Sequence, residues 1–367
     1  MNVDPGVPLS VDYRPHVPED YRPGIGIIGV GGIVKSSHLP AYAKFGIPVA
    51  AVYDVNPAAT EGVVETFGVG RVAAGLEDLL SDPAIEVVDI ATFPDARIPL
   101  VRQALAAGKH VLSQKPLALD VATARSLIDE ADSRGLKLAV NQNGRWSPAW
   151  RTTTRLIEAG TIGEVVSITH VLDRSFRWTI GTHFEQIPHW AIYDYTVHWI
   201  DITRCWMGER RPVSVRARDY RTPNQPAESM TPWGLTVEIT YEDGANAVIR
   251  GTGGEPLSQP EGHPFFVNGT EGRIRGSVLH ADFVELQKES ATIRYALDGQ
   301  WFPEGFAGTM GELLSAIREN REPSNSARHN LRSLELTLAA CRSADQDGAP
   351  IALPLVDITT VNDARGA

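Results

Sequence analysis

The sequence predicts an α/β Rossmann domain followed by an α+β domain with a large, mostly antiparallel, open-faced sheet. Three observations carry this expectation. Short apolar runs alternate with helical stretches from Gly24 to about Asn143, a glycine-rich turn stands at the head of that region, and after Trp150 the pattern changes to strands of period two.

The apolar runs of the first region are 26–30, 49–53, 87–91, 110–112 and 138–140, with helical stretches such as 98–107 and 121–133 between them. Alternation of this kind builds a parallel sheet with helices on both faces. Ahead of it, residues 1–23 hold five prolines and the tripeptide Tyr-Arg-Pro twice. Proline fixes φ and removes a donor, so this stretch reads as an extended arm, either disordered or lying on a neighbouring subunit.

Beyond Trp150 a helix over 149–158 precedes a strand over 164–172, and a Trp-rich helix comes next over 191–207. In 234–241, Leu235, Val237, Ile239 and Tyr241 share one face, as a half-buried strand requires. The turn Glu242-Asp243-Gly244 joins it to a strand over 245–252 as a hairpin. Helices over 308–319 and 327–344 close the chain. The expected division is an arm over 1–23, a dinucleotide-binding domain over 24–145, and a substrate and oligomerisation domain over 146–367.

Composition narrows the function. A chain of 367 residues exceeds one ordinary domain. Its net charge of −11 speaks against nucleic acid and anionic membrane surfaces, both of which need a basic face. No apolar run approaches the roughly 20 residues of a membrane span, and the first residues lack the apolar stretch of a signal peptide. Cys205 and Cys341 are too few and too far apart for a disulfide framework or a metal cluster, so no metal is expected. A cytoplasmic protein is the expectation.

The segment Ile25 to Val34 is an apolar strand running into Gly29-Val30-Gly31-Gly32-Ile33. Gly29 permits a tight turn, and Gly31 lets backbone approach a pyrophosphate lying on the next helix's N-terminus. The next strand ends at Asp54, 25 residues after Gly29, where a carboxylate accepts from ribose hydroxyls. That acid favours NAD over NADP, because it repels a 2′-phosphate.

Further along, Asp194, His198 and Asp201 stand at i, i+4 and i+7, which one helix would present on one face. A carboxylate one turn from a histidine can fix its tautomer, and histidine titrates near working pH. Lys115 precedes a proline and is held extended at a strand end. Six of the eight tryptophans fall between Trp146 and Trp206. Trp146, beside Arg145, is the first candidate for stacking on a sugar ring, and Trp178 the next, in a loop with Arg177 and His183. Arginine forks recognise carboxylate or phosphate, which makes an anionic sugar conceivable. Exposed-face residues such as Thr236, Val248 and Thr252 are not the charges of a fully solvated sheet, and predict a homo-oligomer joined through that face.

Taken in order, these segments resemble the Gfo/Idh/MocA oxidoreductases, the glucose–fructose oxidoreductase and inositol dehydrogenase group. The resemblance runs from Gly24 to about Leu353. It includes His38-Leu39-Pro40, Val88 to Thr92, Ala107 to Leu117 with its Gln114-Lys115-Pro116, the link Asn141 to Pro148, and Asp194 to Asp201. Four positions depart from the common pattern: Val34 for a small residue, Arg97 for a frequent His, Gln114 for Glu, and Thr196 for Gly. The resemblance implies NAD-dependent hydride transfer at a hydroxyl of a sugar, polyol or glycoside, with Lys115, Asp194 and His198 catalytic, in a homodimer or homotetramer. It implies a cofactor held by Gly29, Gly31, Gly32, Ile33, Asp54, Thr92, Gln114, Lys115 and Asn143, and a carbohydrate met by Lys115, Arg145, Trp146, Arg177, Trp178, His183, Asp194 and His198. Two alternatives stay open: a redox-neutral, NAD-dependent glycoside hydrolase, and a non-catalytic nucleotide sensor.

Overall fold

The computed structural model describes residue 8 and residues 10–254, 262–289 and 291–355. The chain forms two compact units. One holds Arg14–Trp146 and Trp301–Leu331, the other Ser147–Gln300 and the chain from Arg332, with the start of the arm.

The first unit is built on a six-stranded parallel sheet of β1 (Gly24–Ile28), β2 (Val49–Tyr53), β3 (Arg71–Val72), β4 (Ile85–Ile90), β5 (His110–Ser113) and β6 (Leu138–Val140), in the order β3-β2-β1-β4-β5-β6. In β4 every side chain but Glu86 is buried, the run expected of a strand covered on both faces. The order reverses between β1 and β4, and ligands of open α/β sheets bind at the strand ends there. Helices α1 (Leu39–Phe45), α2 (Val63–Phe67), α3 (Leu76–Leu80), α4 (Pro94–Ala106) and α5 (Val121–Ser133) connect the strands. The Asp120 side chain starts α5 by accepting from Thr123 N at 2.7 Å, the expected N-cap bond.

Residues 301–331 return to this first unit, which departs from the boundary drawn on the sequence. The reason is packing. Among the later helices, α6 (Pro148–Glu158), α7 (Val197–Met207), α8 (Trp301–Arg318) and α9 (Ala327–Asp345), it is α8 that puts Phe306, Met310, Leu313 and Leu314 into one core with Ile25, Ile27 and Val34. The arm also spends its second half on its own chain: Tyr21 Oη donates to Glu86 at 2.8 Å, and Arg318 pairs with Asp20 at 2.7 Å.

Among its described residues the second unit carries nine strands: β7 (Val165–Val171), β8 (Pro212–Tyr220), β9 (Gly234–Tyr241), β10 (Asn246–Gly251), β11 (His263–Gly269), β12 (Arg273–Val278), β13 (Phe283–Gln287), β14 (Thr292–Tyr295) and β15 (Ile351–Ala352). Their order is β14-β13-β12-β11-β7-β10-β9-β8-β15, antiparallel except for β7 against β10. One face packs on α6 and α7. There Trp150 stands edge-on to Trp199 and Trp206, and His170 stacks on Trp206. On the other face Thr236, Glu238, Thr240, Val166 and Phe266 are exposed.

The expected single helix over 191–207 is two segments. Residues Ala191–Tyr195 form a π turn and α7 begins at Val197. Thr196 closes the turn, its N donating to Ala191 O at 3.0 Å and its Oγ1 to the same oxygen at 2.6 Å. A π turn inserts one residue into the helical register, and such turns concentrate at functional sites. Among the described residues no helix is long and apolar enough to cross a membrane, and no group of His, Cys, Asp and Glu has the spacing of a metal site.

Candidate functional site

In the first unit the candidate site is built from residues just past the carboxyl ends of β1, β2, β4 and β5. Gly29 leaves β1 at φ +89°, and a Cβ there would stand 2.9 Å from both Ala91 O and Thr92 Cγ2. Left-handed backbone and close approach thus both demand glycine. Gly31 and Gly32 differ: a Cβ on either meets nothing of the protein within 4 Å. Open space above bare backbone at the start of a helix is what a pyrophosphate requires.

Asp54, after β2, anchors that loop. Its Oδ2 accepts from Val30 N at 2.7 Å and its Oδ1 from Asn56 N at 2.8 Å. Each carboxylate oxygen keeps a further lone pair, so the acid can hold the loop and still accept a ribose hydroxyl. Thr92, after β4, has a buried Oγ1 with no hydrogen-bond partner, an orphan that fits a missing polar ligand. Ile33 is exposed beside the glycines. The residues present therefore fit a dinucleotide.

After β5, Gln114 Nε2 lies 2.9 Å from His38 Nε2, and Gln114 Oε1 accepts from Lys115 N at 3.2 Å. Lys115 itself is half-buried. Three residues expected at the ligand are instead committed to the interior of this unit. Asn143 Oδ1 accepts from Trp301 Nε1 at 2.7 Å. Arg145 is buried, and its Nη1 donates to Ser324 O at 2.7 Å. Trp146 is buried so tightly that a Cβ on Gly308 would come within 2.2 Å of its Cγ. Trp146 is a core ring, whereas Trp178 is exposed.

In the second unit Asp194 lies in the π turn and His198 in the first turn of α7, both partly exposed. Asp201 does not join them on one face. It is buried and accepts from Ser333 Oγ at 2.6 Å, and the π turn, which lies ahead of both His198 and Asp201, shifts Asp194 in register against them. Tyr195, between the two candidates, donates to His263 Nε2 at 2.9 Å and accepts from Arg174 Nη1 at 2.8 Å. Burial, aided by the Arg174 charge, pushes His263 down to about 3, which suits an imidazole that accepts from the phenol.

The π turn is held from below by His189, a non-glycine residue at φ +48° whose carbonyl accepts from Ile192 N and Tyr193 N at 2.8 Å each. Its ring bridges two carboxylates, Asp219 at 2.9 Å and Asp345 at 2.8 Å. Burial lowers its pKa, but the two hydrogen bonds outweigh it and lift the group to about 9. On the loop after β7, Trp178 is 46% exposed and stands edge-on to Phe184 and Trp190. His183 and Arg177 are exposed nearby in sequence, with Arg177 3.6 Å from Glu228.

Two family descriptions match this architecture. "Oxidoreductase family, NAD-binding Rossmann fold" matches residues 24–142, and "GFO/IDH/MocA C-terminal domain" matches residues 150–275. The chain belongs to the Gfo/Idh/MocA oxidoreductase family. Among curated relatives it is 27% identical over 340 residues to a D-apiose dehydrogenase of Paraburkholderia graminis, covering 85% of each chain. It is 28% identical over 220 residues to a levoglucosan dehydrogenase of Pseudarthrobacter phenanthrenivorans, covering 56% of each. Among solved structures, an oxidoreductase from Agrobacterium radiobacter in complex with NAD+, L-tartaric acid and magnesium superimposes at a TM-score of 0.80. It is 21% identical, with 90% of this chain and 98% of that one covered, and the likeness is one of fold.

Family membership gives the four departures a physical reading. Val34, in place of a small residue, is fully buried in the first unit's core, where the helix after the glycines opens with a π turn over Val34–His38. Thr196, in place of glycine, closes the second π turn with its own hydroxyl. Gln114 and Arg97 both act on the segment around Lys115. The arginine's partners are backbone carbonyls 5, 17 and 19 residues away in sequence. No motif announces such contacts, and in the sequence Arg97 stands out only by replacing a frequent His.

Proposed function

We propose that this Gfo/Idh/MocA oxidoreductase transfers a hydride between NAD and a ring or chain hydroxyl of a sugar, polyol or glycoside. The observation that carries this reading is the pair of open glycines at the end of β1 with Asp54 at the end of β2. The glycines would take the pyrophosphate and the acid the ribose. The named activities of the D-apiose and levoglucosan dehydrogenases support a carbohydrate substrate. NAD, when bound, supplies the hydride acceptor.

The chain's own residues supply the rest. Lys115 offers an ammonium to the carbinol oxygen and stabilises it as charge develops. His198 accepts the hydroxyl proton in oxidation and returns it in reduction, with Asp194 orienting the ring. Trp178 offers a flat apolar face to a sugar, and Arg177 and His183 offer polar contacts on the same loop. The glycosidase alternative draws no support from either dehydrogenase. Incubation with NAD and a panel of sugars, polyols and glycosides tests the reading: accumulation of reduced cofactor is expected. Free sugar without reduced cofactor, or calorimetry with NADP binding tighter than NAD, overturns it.

We also infer that the chain is a homo-oligomer joined through the open face of its sheet. Paired positions across that face run Arg216, Glu238, Val248, Thr169, Phe266, Arg275, Glu285. The centre is apolar or uncharged, and the charges are opposite in sign at equal distances from Thr169. A two-fold axis parallel to the strands at Thr169 would set Glu238 against Arg275 and Arg216 against Glu285, the self-complementarity an isologous interface needs. Light scattering at micromolar concentration should give a multiple of 39.9 kDa, and Val248→Glu should reduce it to one chain.

A further inference from the structure

We propose that Arg97 is a positioning residue for Lys115, acting through the backbone on both sides of it. The inference rests on the reading of Lys115 as the group that stabilises the developing alkoxide. Arg97 lies in the first turn of α4 and is 3% exposed. Its Nη1 donates to Gln114 O at 2.9 Å and also to Pro116 O, the carbonyls of the two residues that neighbour Lys115. Its Nε donates to Thr92 O at 3.1 Å, and its Nη2 reaches the same oxygen. One planar fork therefore ties the turn after β4 to the turn after β5 and brackets a single lysine.

The amide of that lysine is held from the other side. Lys115 N donates to Gln114 Oε1, which leaves Gln114 Nε2 to donate to His38 Nε2 at 2.9 Å. Asn141 Nδ2 approaches the same ring nitrogen at 3.4 Å. Two amide donors on one imidazole nitrogen make it the acceptor, so the ring proton is on Nδ1 and is donated to Asp89 Oδ2 at 2.6 Å. Tyr42 Oη donates to the same carboxylate oxygen at 2.6 Å. Every link in this chain is buried apart from its end at Lys115.

A charged side chain is costly to bury, and packing two strand ends together does not require one. Guanidinium geometry does something packing cannot: it fixes several carbonyls at once, in a plane. Fixing the Gln114–Lys115 and Pro116–Leu117 peptide planes, which flank the Lys115–Pro116 pair, restricts the direction in which the lysine side chain leaves the backbone. Misplacement of a reacting group by about 1 Å can cost about 100-fold in rate, so such a constraint has catalytic value.

The test uses Arg97→Gln and, as a variant that keeps the buried cation without the fork, Arg97→Lys. Amide hydrogen exchange in the cofactor-free protein reads the clamp itself. Exchange at Lys115 should accelerate about 10-fold in Arg97→Gln and less in Arg97→Lys; unchanged exchange in both overturns the proposal, whatever Lys115 does. Steady-state kinetics reads its use. Arg97→Gln should lower kcat about 10-fold with the substrate KM within about twofold. In a Lys115→Ala background the same substitution should cost less than about twofold, since the group it positions is gone. Equal losses in both backgrounds overturn the proposal, because Arg97 then acts elsewhere. Should Lys115→Ala alone turn over normally, the reading of Lys115 fails, and the exchange result still decides whether Arg97 orders the segment. If Arg97→Gln does not fold, Arg97→Lys carries both measurements.

Discussion

The two halves of the molecule present functional groups by different physical means. In the first unit the groups sit within a few residues of a strand's carboxyl end: Gly29 after β1, Asp54 after β2, Thr92 after β4, Lys115 after β5. A parallel sheet brings those ends together whatever the side chains are, so the chemistry needs only the right residue at each exit. In the second unit no such frame exists. Asp194 and His198 depend on a π turn, which depends in turn on Thr196 closing it and on His189 bracing it through Asp219 and Asp345. The first half is positioned by backbone, the second by side chains from distant segments.

The largest effects should come from the groups proposed to take part in the reaction. Lys115→Ala and His198→Ala should each lower kcat by about 100-fold or more, as lost electrostatic or acid–base groups do. Near-normal turnover in His198→Ala would transfer proton acceptance to another group. A sharper contrast lies within the phosphate loop. Gly29→Ala forces a Cβ against Ala91 O and Thr92 at φ +89°, and should destabilise the cofactor-free protein by about 1–3 kcal/mol. Gly31→Ala meets no protein atom within 4 Å, so unfolding should shift by less than about 0.5 kcal/mol. NAD affinity, measured by calorimetry, should nonetheless fall about 10-fold, because the methyl group enters space reserved for phosphate. Equal stability losses in the two variants would mean that the loop, not the ligand, requires Gly31.

Asp54→Asn should have a smaller effect. The amide oxygen can still accept from Val30 N, at the loss of the bond from Asn56 N, while the charge that repels a 2′-phosphate is gone. NAD affinity should drop about 10-fold, the scale of a hydrogen bond to a charged group, and the preference over NADP should narrow. A preference left unchanged would place the discrimination outside β2.

This difference also governs what could be read from residues alone. The limits of β2, β6, α5 and β9 obey local rules: apolar runs, period-two alternation, an Asp120 cap. The phosphate loop and Asp54 are legible for the same reason, since spacing along the chain maps directly onto strand ends. The π turn is not legible, because a spacing of i, i+4, i+7 fits an α-helix equally well. Trp146 and Trp178 look alike in sequence, yet only packing against Gly308 makes one of them core. The return of α8 to the first unit is a matter of which core its apolar face fills, and periodicity shows the face without its partner.

The smallest predicted effect bears on the second half's side-chain scaffolding. His189 is lifted from its usual 6.5 to about 9 because Asp219 and Asp345 favour the charged ring more than burial disfavours it. A group with a raised folded-state pKa binds protons more tightly when folded. Its contribution to stability is therefore complete below pH 6.5 and is lost as the pH rises towards 9. Partial exposure of Asp345 discounts the effect, so the expected fall in melting temperature across that window is only about 3 °C. His189→Asn gives the control, since asparagine tolerates the left-handed backbone at φ +48° but does not titrate. The variant should melt lower than the parent below pH 6.5 and show a flatter profile above it. A parent profile with no slope between pH 6.5 and 9 would mean the two carboxylates do not hold His189 charged. The π turn that carries Asp194 would then owe its brace to the His189 carbonyl alone.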